Sequence, residues 1–144
     1  MIQASTHSPI AFQWDSWYES VGGRTIQIKE VDEYLQHIRE FQYPRFTGEV
    51  NPEQTQFASP EEASNHIKHL ARTLGADEVG IACIEPSDIY KGRHVTEPFA
   101  IVVGQKMLWR EFQQVPNERS AIECLRVYFT LGEVVIALAQ EIRK

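Results

Sequence analysis

The spacing of apolar residues predicts an amphipathic helix in the first third of the chain. Apolar positions recur there every three or four residues, at Val31, Tyr34, Leu35, Ile38 and Phe41. A helix with this pattern has one apolar face that packs on a core, so we predict a helix over Val31–Phe41. The preceding segment, Phe12–Lys29, fits two structures. Its aromatic residues have helical spacing, whereas the pair Gly22-Gly23 either ends that helix or turns a hairpin.

A capping signal and an apolar stripe together predict a second helix. Ser59 precedes Pro60 and is followed three residues later by Glu62, the arrangement of a capping box. In that box Ser59 accepts from the amide of Glu62, and the Glu62 carboxylate accepts from the amide of Ser59. The buried face then consists of Ala63, Ile67, Leu70, Ala71 and Leu74, and Gly75 ends the helix.

Two short and almost continuous apolar runs predict two strands. Glu78–Ile84 and Phe99–Gly104 are typical of strands that are covered on both faces. A polar loop separates them, and we expect the two strands to be neighbours in one sheet. Farther along, apolar residues surround much of the segment Glu118–Lys144, which predicts one long buried helix, or two helices that meet near Gly132.

These elements predict an α/β (α+β) fold in which a few-stranded sheet is flanked by helices. The segment Tyr43–Gln56 contains Pro44, Gly48 and Pro52 and has little periodicity, so we expect a loop and a boundary there. The chain is accordingly divided into a helical or irregular extension, residues 1–58, and a helix-strand-strand-helix portion, residues 59–144.

Composition narrows the possible classes of protein. The chain has 144 residues, of which 42% are hydrophobic and 24% charged, as in a soluble globular domain. A net charge of −6 with scattered basic residues argues against nucleic acid as a partner. No segment has the length of a membrane span and the first residues lack a secretory signal, so we expect a cytoplasmic protein without membrane contact.

The residues that could carry chemistry are few. Cys83 and Cys124 lie in apolar runs and are predicted to be small core residues. Two cysteines do not hold an iron–sulfur cluster, which usually takes four thiolates. His66 and His69 share a predicted helix but lie on its solvent side, so no metal site is predicted. No combination of nucleophile, base and acid is evident, so no catalytic residue is predicted either.

Three passages resemble the reductive dehalogenase family and, more distantly, epoxyqueuosine reductase. They are His66–Ala82, which is the most specific, Phe99–Met107 and Val127–Lys144. The resemblance implies the first part of a nitroreductase-like core that binds cobalamin, in proteins whose two iron–sulfur clusters pass electrons to the cobalt. The family's cysteine motifs, its acid tyrosine and most of its corrinoid contacts lie beyond the position that matches Lys144.

The resemblance therefore implies an N-terminal subunit or domain of a cobalamin- and iron–sulfur-dependent reductase that is not competent alone. Any cobalamin would be shared with the missing portion. The alternative is a stand-alone module, derived from that domain, that binds a protein or a corrinoid without redox activity. Because the apolar last helix reaches Lys144 without a cap, we also expect a partner chain or self-association through this helix.

The loop between the predicted strands holds the candidate cofactor-binding residues, Tyr90, Lys91, Arg93 and His94. Loops often carry binding groups, and ligands of open α/β sheets usually lie beyond the carboxyl ends of the strands. We expect Lys91 and Arg93 to contact a corrinoid side chain or an anionic substrate. An ordinary polar crossover would explain the same loop without any ligand.

Overall fold

A computed structural model describes residues 28–53, 55–113, 115 and 117–144. In this part of the chain, four α-helices accompany a two-stranded antiparallel sheet. The helices are α1 (Lys29–His37), α2 (Pro60–Thr73), α3 (Trp109–Phe112) and α4 (Glu118–Arg143), and the strands are β1 (Glu78–Cys83) and β2 (Phe99–Gly104). The predicted α+β class is confirmed, whereas the likeness to a nitroreductase-like core remains a prediction.

The predicted helix over Val31–Phe41 is confirmed, and helical structure continues beyond the end of α1. After α1, the chain continues as a π-helical turn over Ile38–Gln42 and a 3-10 turn over Tyr43–Arg45. Acidic residues in the first turn, Glu30 and Asp32, interact favourably with the helix dipole. The two structures considered for Phe12–Lys29 lie almost wholly outside the described residues.

The start of α2 follows its sequence signal, with one correction. Ser59 has an extended backbone, and its hydroxyl accepts a hydrogen bond of 3.1 Å from the amide of Glu62. The Glu62 carboxylate, however, accepts from the amide of Ala58 at 2.7 Å, one residue before the amide that a capping box uses. Gly75 ends the helix as predicted. Its φ is 111°, a value that residues with a Cβ atom rarely adopt.

The Ser59 cap leads to a direct stability prediction. Ser59→Ala removes the side-chain acceptor of the Glu62 amide, so we expect the free energy of unfolding to fall by about 1 kcal/mol. Urea denaturation measures the change. Ser59→Asp retains an acceptor at the cap and should stay within a few tenths of the unsubstituted chain; an equal loss in both variants would contradict the capping role.

The described core lies where α2 and α4 pack against the sheet. Its buried residues are Ala71, Ala76, Val134 and Leu138, and the residues packed around them are Leu70, Leu74, Val79 and Val103. Helix α4 passes through Gly132 as one helix of 26 residues, so the alternative of two helices is wrong. A single long helix thus provides the surface on which the other elements assemble.

The sheet differs from the prediction in how much of it is buried. The strands are neighbours, as predicted, with Gly80 opposite Val102 and Ala82 opposite Ala100. Burial on both faces is wrong, because Val102 is 57% exposed and Phe99 is also exposed. Cys83 at the end of β1 is exposed as well, so its predicted core position is wrong, and Cys124 is half-buried. Among the described residues, helices cover the sheet mainly around Val79 and Val103.

Residues 28–53 run along α4. The rings of Tyr34 and Phe129 are 5.7 Å apart, and the amide of Asn51 donates to the carbonyl of Arg143 at 2.8 Å. The division of the chain at residue 58 remains a prediction. None of the helices in the described residues is both long enough and apolar enough to span a membrane.

Candidate functional site

The loop from Ile84 to Pro98 connects the two antiparallel strands. The loop begins with a 3-10 turn over Pro86–Asp88. A hydrogen bond of 2.9 Å from the amide of Glu85 to the Asp88 carboxylate stabilises this turn. The amide of Ile84 donates to the carbonyl of Pro98 at 2.9 Å, which joins the two ends of the loop. The loop is therefore held at its base and at its first turn.

Three of the four candidate cofactor-binding residues, Tyr90, Lys91 and Arg93, lie on a second turn of this loop, and His94 follows it directly. The amide of Arg93 donates to the carbonyl of Tyr90 at 2.9 Å, and Gly92 has the positive φ, 80°, that the third position of a type II turn requires. Tyr90 is 87% exposed, and Lys91, Arg93 and His94 are exposed too. The structure thus brings the four residues together in sequence and in space, on the outside of the protein.

The electrostatic character of the loop is mixed. Hydrogen bonds from the backbone amide of Glu97 itself and from Thr96 lower the pKa of the Glu97 carboxyl, and the charge of His94 acts in the same direction. Glu97 is therefore negatively charged at neutral pH, and the loop carries charges of both signs.

The loop does not form an enclosing site for a flat macrocycle such as a corrinoid. Ligand sites are usually concave and cover most of the ligand. Four clefts stand out in the described part of the chain, and none of them is lined by Tyr90, Lys91, Arg93 or His94. The rule for strand ends concerns parallel sheets, and here the strands are antiparallel.

His66 and His69 lie on the exposed side of α2, as predicted, and they border an open cleft of about 570 Å³. The ring of Phe57, which sequence analysis did not single out, has its centroid 5.4 Å from that of His66, with the two ring planes tilted by 46°. Its sequence signal is an aromatic residue two positions before the helix cap Ser59. Among the described residues, no group of three or more His, Cys, Asp or Glu side chains is placed to hold a metal ion.

One carboxylate in the described residues is almost fully buried and was missed by sequence analysis. Glu123 on α4 is 4% exposed and accepts from the backbone amide of Leu108 at 2.7 Å. Two nitrogens of Arg126 donate to it at 2.6 and 2.7 Å. The hydrogen bonds from Arg126 lower the pKa of Glu123 more than burial raises it, so the group is ionised. This arrangement ties the segment after β2 to α4, which is a structural role.

A second polar cluster joins the π-helical turn to α4. The Gln42 side chain is 1% exposed and donates to the carbonyl of Phe129 at 2.7 Å and to the Glu133 carboxylate at 3.0 Å. Arg45 donates to both oxygens of Glu133, at 3.0 and 2.9 Å. All these groups have partners within the chain, so the cluster positions residues 38–45 and offers no reactive group.

Exposed apolar side chains are also candidates for binding, and they lie on both faces of the sheet, with Phe99 and Ile101 on one face and Val102 on the other. Large hydrophobic side chains on and near the sheet are exposed: Val95, Phe99, Ile101, Val102, Met107, Leu108 and Trp109. Contiguous apolar patches on soluble proteins mark interaction sites more often than chance surface. The chemistry that this surface supports is the binding of another apolar surface.

Comparison with known proteins adds no family. No protein-family model matches the chain, and no curated protein or solved structure is significantly similar to it.

Proposed function

We propose that this chain is a non-catalytic part of a larger protein core, and that another polypeptide completes this core at the open face of the β1–β2 sheet. One observation carries the proposal. The two strands consist almost entirely of apolar residues, yet Val102 and its neighbours on one face are exposed. Strands of this composition normally lie between two layers of structure.

The open face is suited to close packing. Gly80 and Ala82 lie opposite Val102 and Ala100, so the side chains in the middle of this face are small except for Val102, and Glu78, opposite Gly104, lies at its end. A Cβ placed on Gly80 would meet no atom within 4 Å, which leaves room for an approaching layer. In the described residues each strand has one neighbour, so each also has an edge where another strand can pair.

The assembly that we propose is a cobalamin- and iron–sulfur-dependent reductase of the reductive dehalogenase kind. Its support is the resemblance of His66–Ala82 to that family's helix-to-strand passage, since α2, the turn at Gly75 and β1 follow one another in this order. In such an assembly, Lys91 and Arg93 contact the edge of a corrinoid held mainly by the partner, which also supplies the clusters. No reaction step is assigned to a residue of this chain.

Titration of the purified chain with hydroxocobalamin, followed by its visible spectrum, tests the corrinoid part of the proposal. We expect a saturable change in the corrinoid bands with a weak dissociation constant, on the order of 100 µM, because only an edge contact is made. Loss of two charge-assisted contacts in the double variant Lys91→Ala/Arg93→Ala should weaken binding about tenfold. The double variant Lys68→Ala/Arg72→Ala removes the same charge from α2 and should leave binding unchanged.

The second candidate is a module that binds a protein partner without a corrinoid or redox activity. The observation that favours it is the absence of the four loop residues from the four clefts described. The same titration separates the candidates. A folded chain whose addition leaves the hydroxocobalamin spectrum unchanged at millimolar concentration would overturn the proposed contact of Lys91 and Arg93 with a corrinoid and favour the module.

A further inference from the structure

Helix α4 carries an apolar stripe that is separate from its buried faces. We define the stripe by seven residues that lie within one side of the helix: Ala121, Cys124, Tyr128, Leu131, Val135, Ala139 and Ile142. None of them belongs to the core cluster, none is charged, and Tyr128 is 67% exposed, with Val135 and Ile142 also exposed. At a rise of 1.5 Å per residue the stripe is about 32 Å long.

The stripe has the spacing of a helix-pairing seam. Ala121, Tyr128, Val135 and Ile142 follow one another at intervals of seven residues, with Cys124 and Leu131 three residues after the first two. Seven-residue spacing keeps one seam facing a partner helix along its whole length. Other sides of α4 contact α1 and the sheet. Because the stripe is a third apolar side of the same helix, we expect that it is covered as well.

We propose that the stripe pairs with the stripe of a second copy of this chain, with the two α4 helices antiparallel about a two-fold axis between Leu131 and Gly132. This register sets Tyr128 opposite Val135 of the other copy, so that the largest residue meets a medium one. It also sets Ala121 opposite Ile142 and Cys124 opposite Ala139. Larger side chains thus face smaller ones along the seam, as close packing of two helices requires.

Charge favours the antiparallel direction. Glu118, three residues before Ala121, borders one end of the stripe, and Arg143, four residues after Ala139, borders the other end on the same flank. The Arg143 guanidinium also donates to the carbonyl of Phe46 in its own chain at 2.8 Å, and this neutral acceptor does not offset its positive charge. In an antiparallel pair like flanks face each other, so Glu118 of each copy lies near Arg143 of the other. A parallel pair would instead set like ends and parallel helix dipoles side by side. The inference does not rest on the proposed function, because the stripe is distinct from the open sheet face.

The molar mass in solution tests the pairing. Light scattering after size exclusion should give twice the 16.6 kDa chain mass at high concentration and a dissociation constant of about 10–100 µM, as suits a small interface. Tyr128→Glu and, separately, Val135→Lys should weaken the dimer at least about tenfold. Tyr90→Glu alters an even more exposed aromatic residue in the loop and should leave the dimer intact, and circular dichroism checks that all variants are folded.

Cross-linking tests the register. Ala139→Cys, made in a Cys83→Ser background, places a thiol opposite the natural Cys124 of the other copy, within reach of a short bis-maleimide. We expect a covalent dimer that disappears when Cys124→Ser is added. Within one chain the two positions are 15 residues apart along α4, about 22 Å, too far for the reagent. Cross-linking that persists after Cys124→Ser would indicate parallel helices and overturn the register.

A matched pair of variants tests whether charge at the end of the stripe contributes to the pairing. Glu118→Lys should weaken the dimer, whereas Arg119→Glu, which changes a charge that points away from the stripe, should not. A chain that keeps a mass of 16.6 kDa up to about 500 µM overturns the proposal and assigns the stripe to another polypeptide or another segment. A dimer that is insensitive to Tyr128→Glu and Val135→Lys overturns it equally, since the contact then lies elsewhere.

Discussion

A Glu123→Ala variant is expected to be about 3 kcal/mol less stable than the unsubstituted chain. The substitution removes the acceptor of the Leu108 amide and leaves Arg126, which is only partly exposed, without its carboxylate. Breaking a buried pair from one side costs more than the pair itself contributes, because the remaining group stays desolvated. Urea denaturation measures the loss. Glu118→Ala, on the exposed first turn of the same helix, should change stability by less than about 0.5 kcal/mol.

The same carboxylate sets part of the pH dependence of stability. The pKa of Glu123 is lower in the folded chain than its usual 4.5, so folding favours the ionised form. Its contribution is therefore fully present above about 4.5 and is lost as the pH falls through the folded-state value. We expect Glu123→Gln to be less stable at neutral pH but to lose less further stability between neutral pH and the acid range. Parallel pH profiles for the two proteins would contradict the ion-pair role.

A Gly132→Ala variant is expected to lose about 2 kcal/mol, against the usual rule that alanine stabilises a helix by about 1 kcal/mol relative to glycine. A Cβ at position 132 would overlap the side-chain amide of Gln42, whose Cδ would be 2.9 Å away and whose Nε2 would be 3.0 Å away. Because Gln42 is buried and bonded to Phe129 and Glu133, it moves only by breaking those hydrogen bonds.

A double-mutant cycle isolates this contact. In a Gln42→Ala background the obstacle is gone, so Gly132→Ala should become stabilising by about 1 kcal/mol, as helix propensity predicts. Gly80→Ala serves as a control for the effect of a methyl group alone, since no atom lies within 4 Å of that position. A loss of equal size from Gly132→Ala in both backgrounds would mean that Gln42 is not the cause.

Features of the fold that depend on neighbours in sequence were predictable. The start of α2 follows from Ser59 and Pro60, its end from Gly75, and both strands from their apolar runs. Even here a local rule had limits. The carboxylate of Glu62 accepts from the amide of Ala58 and not from that of Ser59, because a long side chain on the first turn reaches either of two adjacent amides.

The candidate site was predictable in position and not in character. The sequence predicted that Tyr90, Lys91, Arg93 and His94 lie in one loop. In the structure they lie on an exposed turn and directly after it. Whether such a turn forms a concavity depends on what packs around it, and no periodicity carries that information. Binding of a cofactor by these residues remains a prediction, to be decided by the titration above.

The three longer helices and both strands of the described residues could be located from the sequence, because caps, turn residues and apolar periodicity act within a few residues. Which surfaces are covered became known from the folded structure. Apolar composition led us to expect a sheet buried on both faces and a buried Cys83, but burial depends on segments that are distant in the chain. The Leu108 amide that donates to Glu123 lies 15 residues away, and the Phe129 carbonyl that accepts from Gln42 lies 87 residues away, so neither of these contacts follows from local patterns. The open sheet face and the stripe on α4 are likewise properties of the folded chain.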